Sequence, residues 1–205
     1  MPSNPSAQTS MKAALILSEL RAHAPFTFFG ASTGILMMIL VSMITIPPRI
    51  SYTLFYMLHP LHVFMSALVT TSMYKLHVRS SGRVLMPILI GYAGSIGTAT
   101  LSDSIIPYLG EIVLNLPNRG AHIGFLEEWW LVNPMALLGI VIASAYPTTK
   151  VPHSGHVLLS TWASLAHIIM SLGGDPLWYS YIFIFFFLFV SVWIPCCFSD
   201  IVFPL

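Results

Sequence analysis

Charge is what this chain lacks most. Asp, Glu, Lys and Arg make up 7% of its 205 residues, where a soluble domain carries about 25%. With 56% of the residues hydrophobic, the composition excludes an ordinary soluble globular domain and points to an integral membrane protein. The net charge of +1 leaves no basic footprint for nucleic acid, so that class of partner is not expected. Cysteine is nearly absent too. The only two, Cys196 and Cys197, are adjacent and cannot staple distant segments. There is no phosphate-binding glycine loop and no G-x-S-x-G nucleophile elbow. The N-terminus lacks a cleavage site of the signal-peptide kind.

What the sequence does have is apolar stretches. A spanning helix needs about 20 such residues. Six are predicted, at about 25–46, 51–75, 84–106, 129–146, 153–172 and 177–199. Before them, residues 1–10 read as disordered, and 11–21 as a short amphipathic helix on the membrane surface. After Ser102-Asp103, Pro107 and Gly110-Glu111 are expected to break the third span, with a polar loop running to Glu128. If the N-terminus is cytoplasmic, the inner segments hold Lys12, Arg21, Lys75, Arg79, Arg83 and Lys150, and the outer ones only Arg49 and Arg119. That asymmetry follows the positive-inside rule and predicts both termini in the cytoplasm.

A pattern then occurs twice. His59-Pro-Leu-His62-Val-Phe-Met-Ser66 is followed by Ser102-Asp103-Ser-Ile-Ile-Pro107. His153-Ser-Gly-His156-Val-Leu-Leu-Ser160 is followed by Ser199-Asp200-Ile-Val-Phe-Pro204. Each copy reads H-x-x-H-V-x-x-S, then S-D-x-x-x-P, and the spacings differ by only a few residues. Duplication explains this better than chance. Three spans per copy is an odd number, so the second copy enters the membrane from the opposite side. The predicted fold is therefore an all-α membrane protein with a 3+3 inverted repeat. The repeats are 25–117 and 118–205, preceded by 1–24, an arrangement common among secondary transporters.

Within the copies, His59, His62, Ser66 and Thr70 fall on one helical face, as do His153, His156, Ser160, Ser164 and His167. Polar stripes in spans usually face the protein interior or a wet cavity. Ser and Thr alone also suit a close helix–helix seam. The paired histidines point further, because imidazole suits lipid poorly and metals well. Asp103 and Asp200 are the carboxylates inside the predicted spans, where no Lys or Arg is available to pair with them. A buried aspartate must be paired, protonated or bound to a cation. Two histidines and a carboxylate make a known zinc-type ligand set. The expected metal residues are thus His59, His62, Asp103, His153, His156 and Asp200. Ser66, Thr70, Ser102, Ser160, Ser164, His167 and Ser199 are expected to line a pathway. A helix cap at a local break is the blander role for each Asp.

These features favour a transporter or channel for a cation, with a divalent metal such as zinc as ligand or cargo. A membrane-embedded metal-dependent enzyme acting on lipid would use the same ligands. A b-type haem protein would pair His62 with His156 or His167. Membrane lipids are expected partners, and polar stripes in a chain this short are compatible with a homo-oligomer. His23, His77 and His122 are assigned by default to the surface, and Trp129 and Trp130 to the membrane interface.

Overall fold

The structure is a computed structural model. It describes the backbone of residues 5–43, 48–77, 85–148, 150–174 and 176–201. The side chains of 5–13, 15, 19, 41, 42, 48, 77, 150–153, 200 and 201 lie outside the described set. Among the described residues the chain is all helical, without strands. The helices are α1 (Pro5–Ser42), α2 (Pro48–His77), α3 (Leu85–Thr100), a π turn (Leu101–Ile105), α4 (Ile106–Val113), α5 (Gly124–Glu127), α6 (Trp129–Ala145), α7 (Lys150–Ser171) and α8 (Trp178–Ile201).

Four stretches are long and apolar enough to cross a membrane: Ile16–Leu40, Arg49–Leu76, Leu85–Val113 and Trp178–Ser199. This is consistent with a membrane protein. The outer surface agrees, since Phe29, Leu36, Met57, Leu89, Val141 and Phe186 are all exposed. Contiguous apolar surface of this extent is unusual for a soluble monomer and ordinary against lipid.

Two local expectations are revised. From Pro5 to Ser42 one unbroken helix, α1, runs through the described parts of the ground assigned to a disordered tail, a surface helix and a first span. It packs on α7 and α8, which buries His23 completely instead of leaving it at the surface. Second, the third span does not end near Pro107. α3, the π turn and α4 form one apolar path from Leu85 to Val113. Proline has no N–H, and its ring crowds the carbonyl four residues earlier, here that of Asp103. The helix takes up that conflict by widening into the π turn, in which the Ile106 N–H bonds the Leu101 carbonyl. Pro107 then falls in the first turn of α4, where a missing N–H costs nothing.

At the centre, α2 and α7 pack along each other in opposite directions. Phe55 meets His167 near one end, and His62 meets His156 farther along. Two apolar clusters flank this pair. Ala31, Met38, Leu165, Ile168, Ile184 and Leu188 tie α1 and α8 to α7. Val63, Ile96, Ala99, Val132 and Ala136 tie α3 and α6 to α2. Gly91 lets α3 approach closely, since a Cβ there would lie 2.1 Å from Thr71 Oγ1 and 2.9 Å from Ile140. At Gly97, by contrast, nothing among the described residues lies within 4 Å of an added Cβ.

The polar segment between α4 and α6 is fastened down. The Asn118 N–H donates to the Ser171 carbonyl (3.1 Å), and Ser104 Oγ donates to the His122 carbonyl (2.9 Å). Tyr56 of α2 donates to Glu127 at the end of α5. This segment closes the end of the bundle where α2 begins and α7 ends.

Candidate functional site

The polar stripes of α2 and α7 turn inward. His59, His62, Ser66 and Thr70 are fully buried, and so are His156, Ser160, Ser164 and His167. The two stripes face each other and the π turn, which supplies Ser102 and Asp103, also fully buried.

Asp103 is the hub. Its Oδ2 accepts from His59 Nδ1 at 3.0 Å and from His62 Nδ1 at 2.7 Å. Its Oδ1 accepts from Ser102 Oγ and Ser160 Oγ, each at 2.7 Å. An ionised carboxylate only accepts, so this environment of four donors is the complement of the anion. It also assigns the tautomer, because Nδ1 of each neutral imidazole must carry the hydrogen. Nε2 of His59 and of His62 is then a lone pair, buried and without a hydrogen-bond partner. A carboxylate holding an imidazole by Nδ1 is the usual support for a histidine that coordinates through Nε2.

The π turn makes this possible. The Ser102 carbonyl would find its π-type partner at residue 107, but Pro107 has no N–H to offer. The single O–H of Ser164 stands between this carbonyl, at 2.9 Å, and that of Ser160, at 2.8 Å. Two side chains of α7, Ser160 and Ser164, thus hold the turn that presents Asp103. π turns of this kind recur at functional sites.

The aromatic surroundings fix the imidazoles further. The rings of His62 and His156 lie near-parallel, with centroids 5.9 Å apart and planes 13° apart. His23 sits edge-on to His156 at 6.0 Å. His59 stacks on Phe55 at 5.3 Å. The backbone of Gly124 also approaches this ring, where a Cβ would come within 2.7 Å of His59 Nε2. α5 therefore covers His59 directly, and only glycine fits there.

The expected metal set comes together in part. His59, His62 and Asp103 converge, and His156 joins them through His62. His153 and Asp200 lie outside the described side chains. Both Asp103 oxygens are taken up by hydrogen bonds, so in this arrangement the carboxylate orients the imidazoles and offers no open oxygen. Among the described residues no three His, Cys, Asp or Glu side chains surround a common point at metal-binding distance.

Of the predicted pathway residues, Ser102, Ser160 and Ser164 belong to the Asp103 network. Thr70 reaches across to Ser199, with oxygens 2.9 Å apart. Ser66 Oγ is buried without a hydrogen-bond partner. His167 stands apart from Asp103 and pairs with Glu111, Nδ1 to Oε1 at 2.8 Å.

Glu111 is the residue sequence reading missed. The sequence places it at the break that ends the third span, and it is buried, on an apolar stretch that continues to Val113. A signal was present: Asp103, Pro107 and Glu111 are spaced by four, as on one continuing helix. Cys196 and Cys197 are buried, and Cys196 packs with Val157 and Val192. His122 is at the surface as expected, one third exposed. Comparison with known protein families, curated proteins and solved structures finds no match for this chain.

Proposed function

We propose that this protein is a membrane transporter or channel for a cation, and that the His59–Asp103–His62 cluster is where the cation is held. One observation carries the proposal. A fully buried carboxylate has its hydrogen-bonding satisfied by four neutral donors, yet among the described residues no Lys or Arg pairs with it. A buried net charge is too costly to leave uncompensated. The missing positive charge is either a proton on the imidazoles or a cation taken up by the Nε2 lone pairs of His59 and His62. The two are alternatives at the same imidazoles, which is the condition for exchanging a cation for a proton. A divalent ion of the zinc type suits imidazole nitrogen best.

The internal duplication supports carrier over enzyme. The antiparallel course of α2 and α7 is what an inverted 3+3 repeat requires of equivalent helices. Under the repeat Thr70 corresponds to Ser164, and Ser199 to Ser102. The Ser164–Ser102 and Thr70–Ser199 contacts exchange with each other on that operation. The two flanking clusters, α1–α7–α8 and α6–α2–α3, exchange as well. On this reading there are six spans with both termini cytoplasmic, and α5 seals the outer end. The enzyme alternative is less well served. A metal-dependent enzyme needs one active site, and a constellation duplicated on two sides of the membrane does not by itself give one.

The test is flux in proteoliposomes. Zn2+, Mn2+ and K+ are offered to the wild type and to Asp103→Asn and His62→Ala, each checked by size exclusion and circular dichroism. Loss of at least tenfold for one ion in both variants is expected. Correctly folded variants that carry every ion at the wild-type rate would falsify the proposal.

A further inference from the structure

A second acid–imidazole pair lies away from Asp103. Glu111 of α4 is 1% exposed and His167 of α7 is fully buried. Glu111 Oε1 accepts from His167 Nδ1 at 2.8 Å, and Oε2 accepts the Gly120 N–H at 3.2 Å. As at Asp103, the pair has no fixed cation in its described contacts. His167 Nε2 is buried with no hydrogen-bond partner.

The surroundings give the pair a direction. The His122 ring stands edge-on to His167 at 5.5 Å. His122 is one third exposed and lies 3.4 Å from Glu127, itself 42% exposed. Tyr52 flanks His122, and Tyr56 donates to Glu127. Titratable groups thus lead from solvent to His167. On the other side the path stops at Phe55, whose ring is 5.3 Å from His167 and 5.3 Å from His59. A phenyl ring neither accepts nor donates a proton. The outer pair communicates with solvent, and Phe55 insulates it from the inner cluster.

We infer that Glu111 and His167 form a separate proton-loading site, filled from the His122–Glu127 surface, whose occupancy drives the cation exchange proposed at Asp103. This rests on the transport reading for its role, though not for its chemistry. A proton arriving at His167 Nε2 forms an N–H bond there. The Nδ1 hydrogen is released toward Glu111 Oε1, and the pair passes from net negative to neutral. Discharge reverses these bonds and returns one proton to solvent. No oxidant or co-reactant is involved. With the pair neutral, the inner cluster loses a negative neighbour across Phe55, which weakens its hold on a cation.

The experiment uses the full chain in vesicles loaded with a pH-sensitive dye, with potential set by K+ and valinomycin. Radioactive Zn2+ is the cation probe. For Glu111→Gln and His167→Gln, proton movement and pH-driven Zn2+ accumulation are expected to fall at least tenfold. Zn2+-for-Zn2+ exchange at equal concentrations and pH should stay within about threefold of wild type. Asp103→Asn should lose exchange itself. The inference is overturned if both outer variants keep proton movement within twofold of wild type. It is overturned equally if they lose exchange and proton movement together, which marks a structural role. A wild type that moves protons but no Zn2+, with the proton movement abolished in Glu111→Gln, upholds the pair and sinks the Zn2+ reading of the inner site. A wild type that moves neither sinks both.

Discussion

Replacing Gly124 with alanine tests the site at its tightest point. The added methyl would sit 2.4 Å from His59 Cδ2 and 2.7 Å from Nε2. The ring cannot yield easily, because Asp103 holds its Nδ1 and Phe55 lies against its face. Overpacking of this kind costs about 1–3 kcal/mol. If the ring swings aside it also gives up a hydrogen bond to a charged acceptor, worth about 1.5–3 kcal/mol. Against this, Gly→Ala removes unfolded-state freedom worth about 0.4–1 kcal/mol where the backbone accepts alanine, as at this first residue of α5. The steric term wins, and a net loss of about 2–3 kcal/mol is expected. For a chain of this length that corresponds to roughly 4–12 °C in Tm. Thermal unfolding in detergent would measure it in wild type, Gly124→Ala, His59→Ala and the double variant. In the His59→Ala background the methyl has room, so the cost of Gly124→Ala should drop below about 0.5 kcal/mol, a coupling well above the additivity error. Equal destabilisation in both backgrounds, or none in either, would refute the contact between α5 and the imidazole.

Ser160→Ala removes one of the two Oδ1 donors on Asp103 and should lower unfolding stability by about 1.5–3 kcal/mol, with Ser160→Thr recovering part of the loss. Gly91→Ala drives a methyl into Thr71 and Ile140; destabilisation of about 1–3 kcal/mol is expected, relieved when Thr71→Ala is added. The Thr70–Ser199 hydrogen bond should give a coupling near 0.6 kcal/mol in a Thr70→Val/Ser199→Ala cycle, the scale of hydroxyl pairs in membrane helices. Additive single variants would show that the contact contributes nothing.

Much of the centre was legible because it depends on periodicity. Steps of three and four placed His59, His62, Ser66 and Thr70 on one face, and a low-dielectric interior left Asp103 few partners other than histidine. That pairing is what forms. The donor set around Asp103 was not legible, since Ser160 approaches from 57 residues away and sequence spacing carries no information on such contacts. The polarity of the arrangement was also hidden. A ligand list of two histidines and an aspartate does not say whether the aspartate faces the ion or faces the imidazoles. The burial of His23 depended on α1 continuing as a single helix against α7 and α8, a tertiary outcome. Glu111 was lost for a different reason, because Pro107 and Gly110 look like the end of a helix and here are accommodated within one.

The π turn has one more consequence, and it concerns phase. Asp103 and Glu111 are eight residues apart, which on a regular α-helix would set them about 80° apart around the axis. The π turn holds one surplus residue, so in angular terms they stand about seven apart, within roughly 20° of each other. Their partners on α7, Ser160 and His167, are also seven apart. The surplus residue is thus a vernier that brings two helices into step at both acids. The chain has one residue of slack in this place and nowhere nearby. Deleting Ser104 would remove the surplus residue and leave Glu111 facing His167, while setting the Pro107 ring against the Ser102 carbonyl. Deleting Leu109, one turn further on, would swing Glu111 about 100° away from its imidazole. Two single-residue deletions five positions apart should therefore give opposite results, with the Glu111–His167 pair kept in the first and lost in the second.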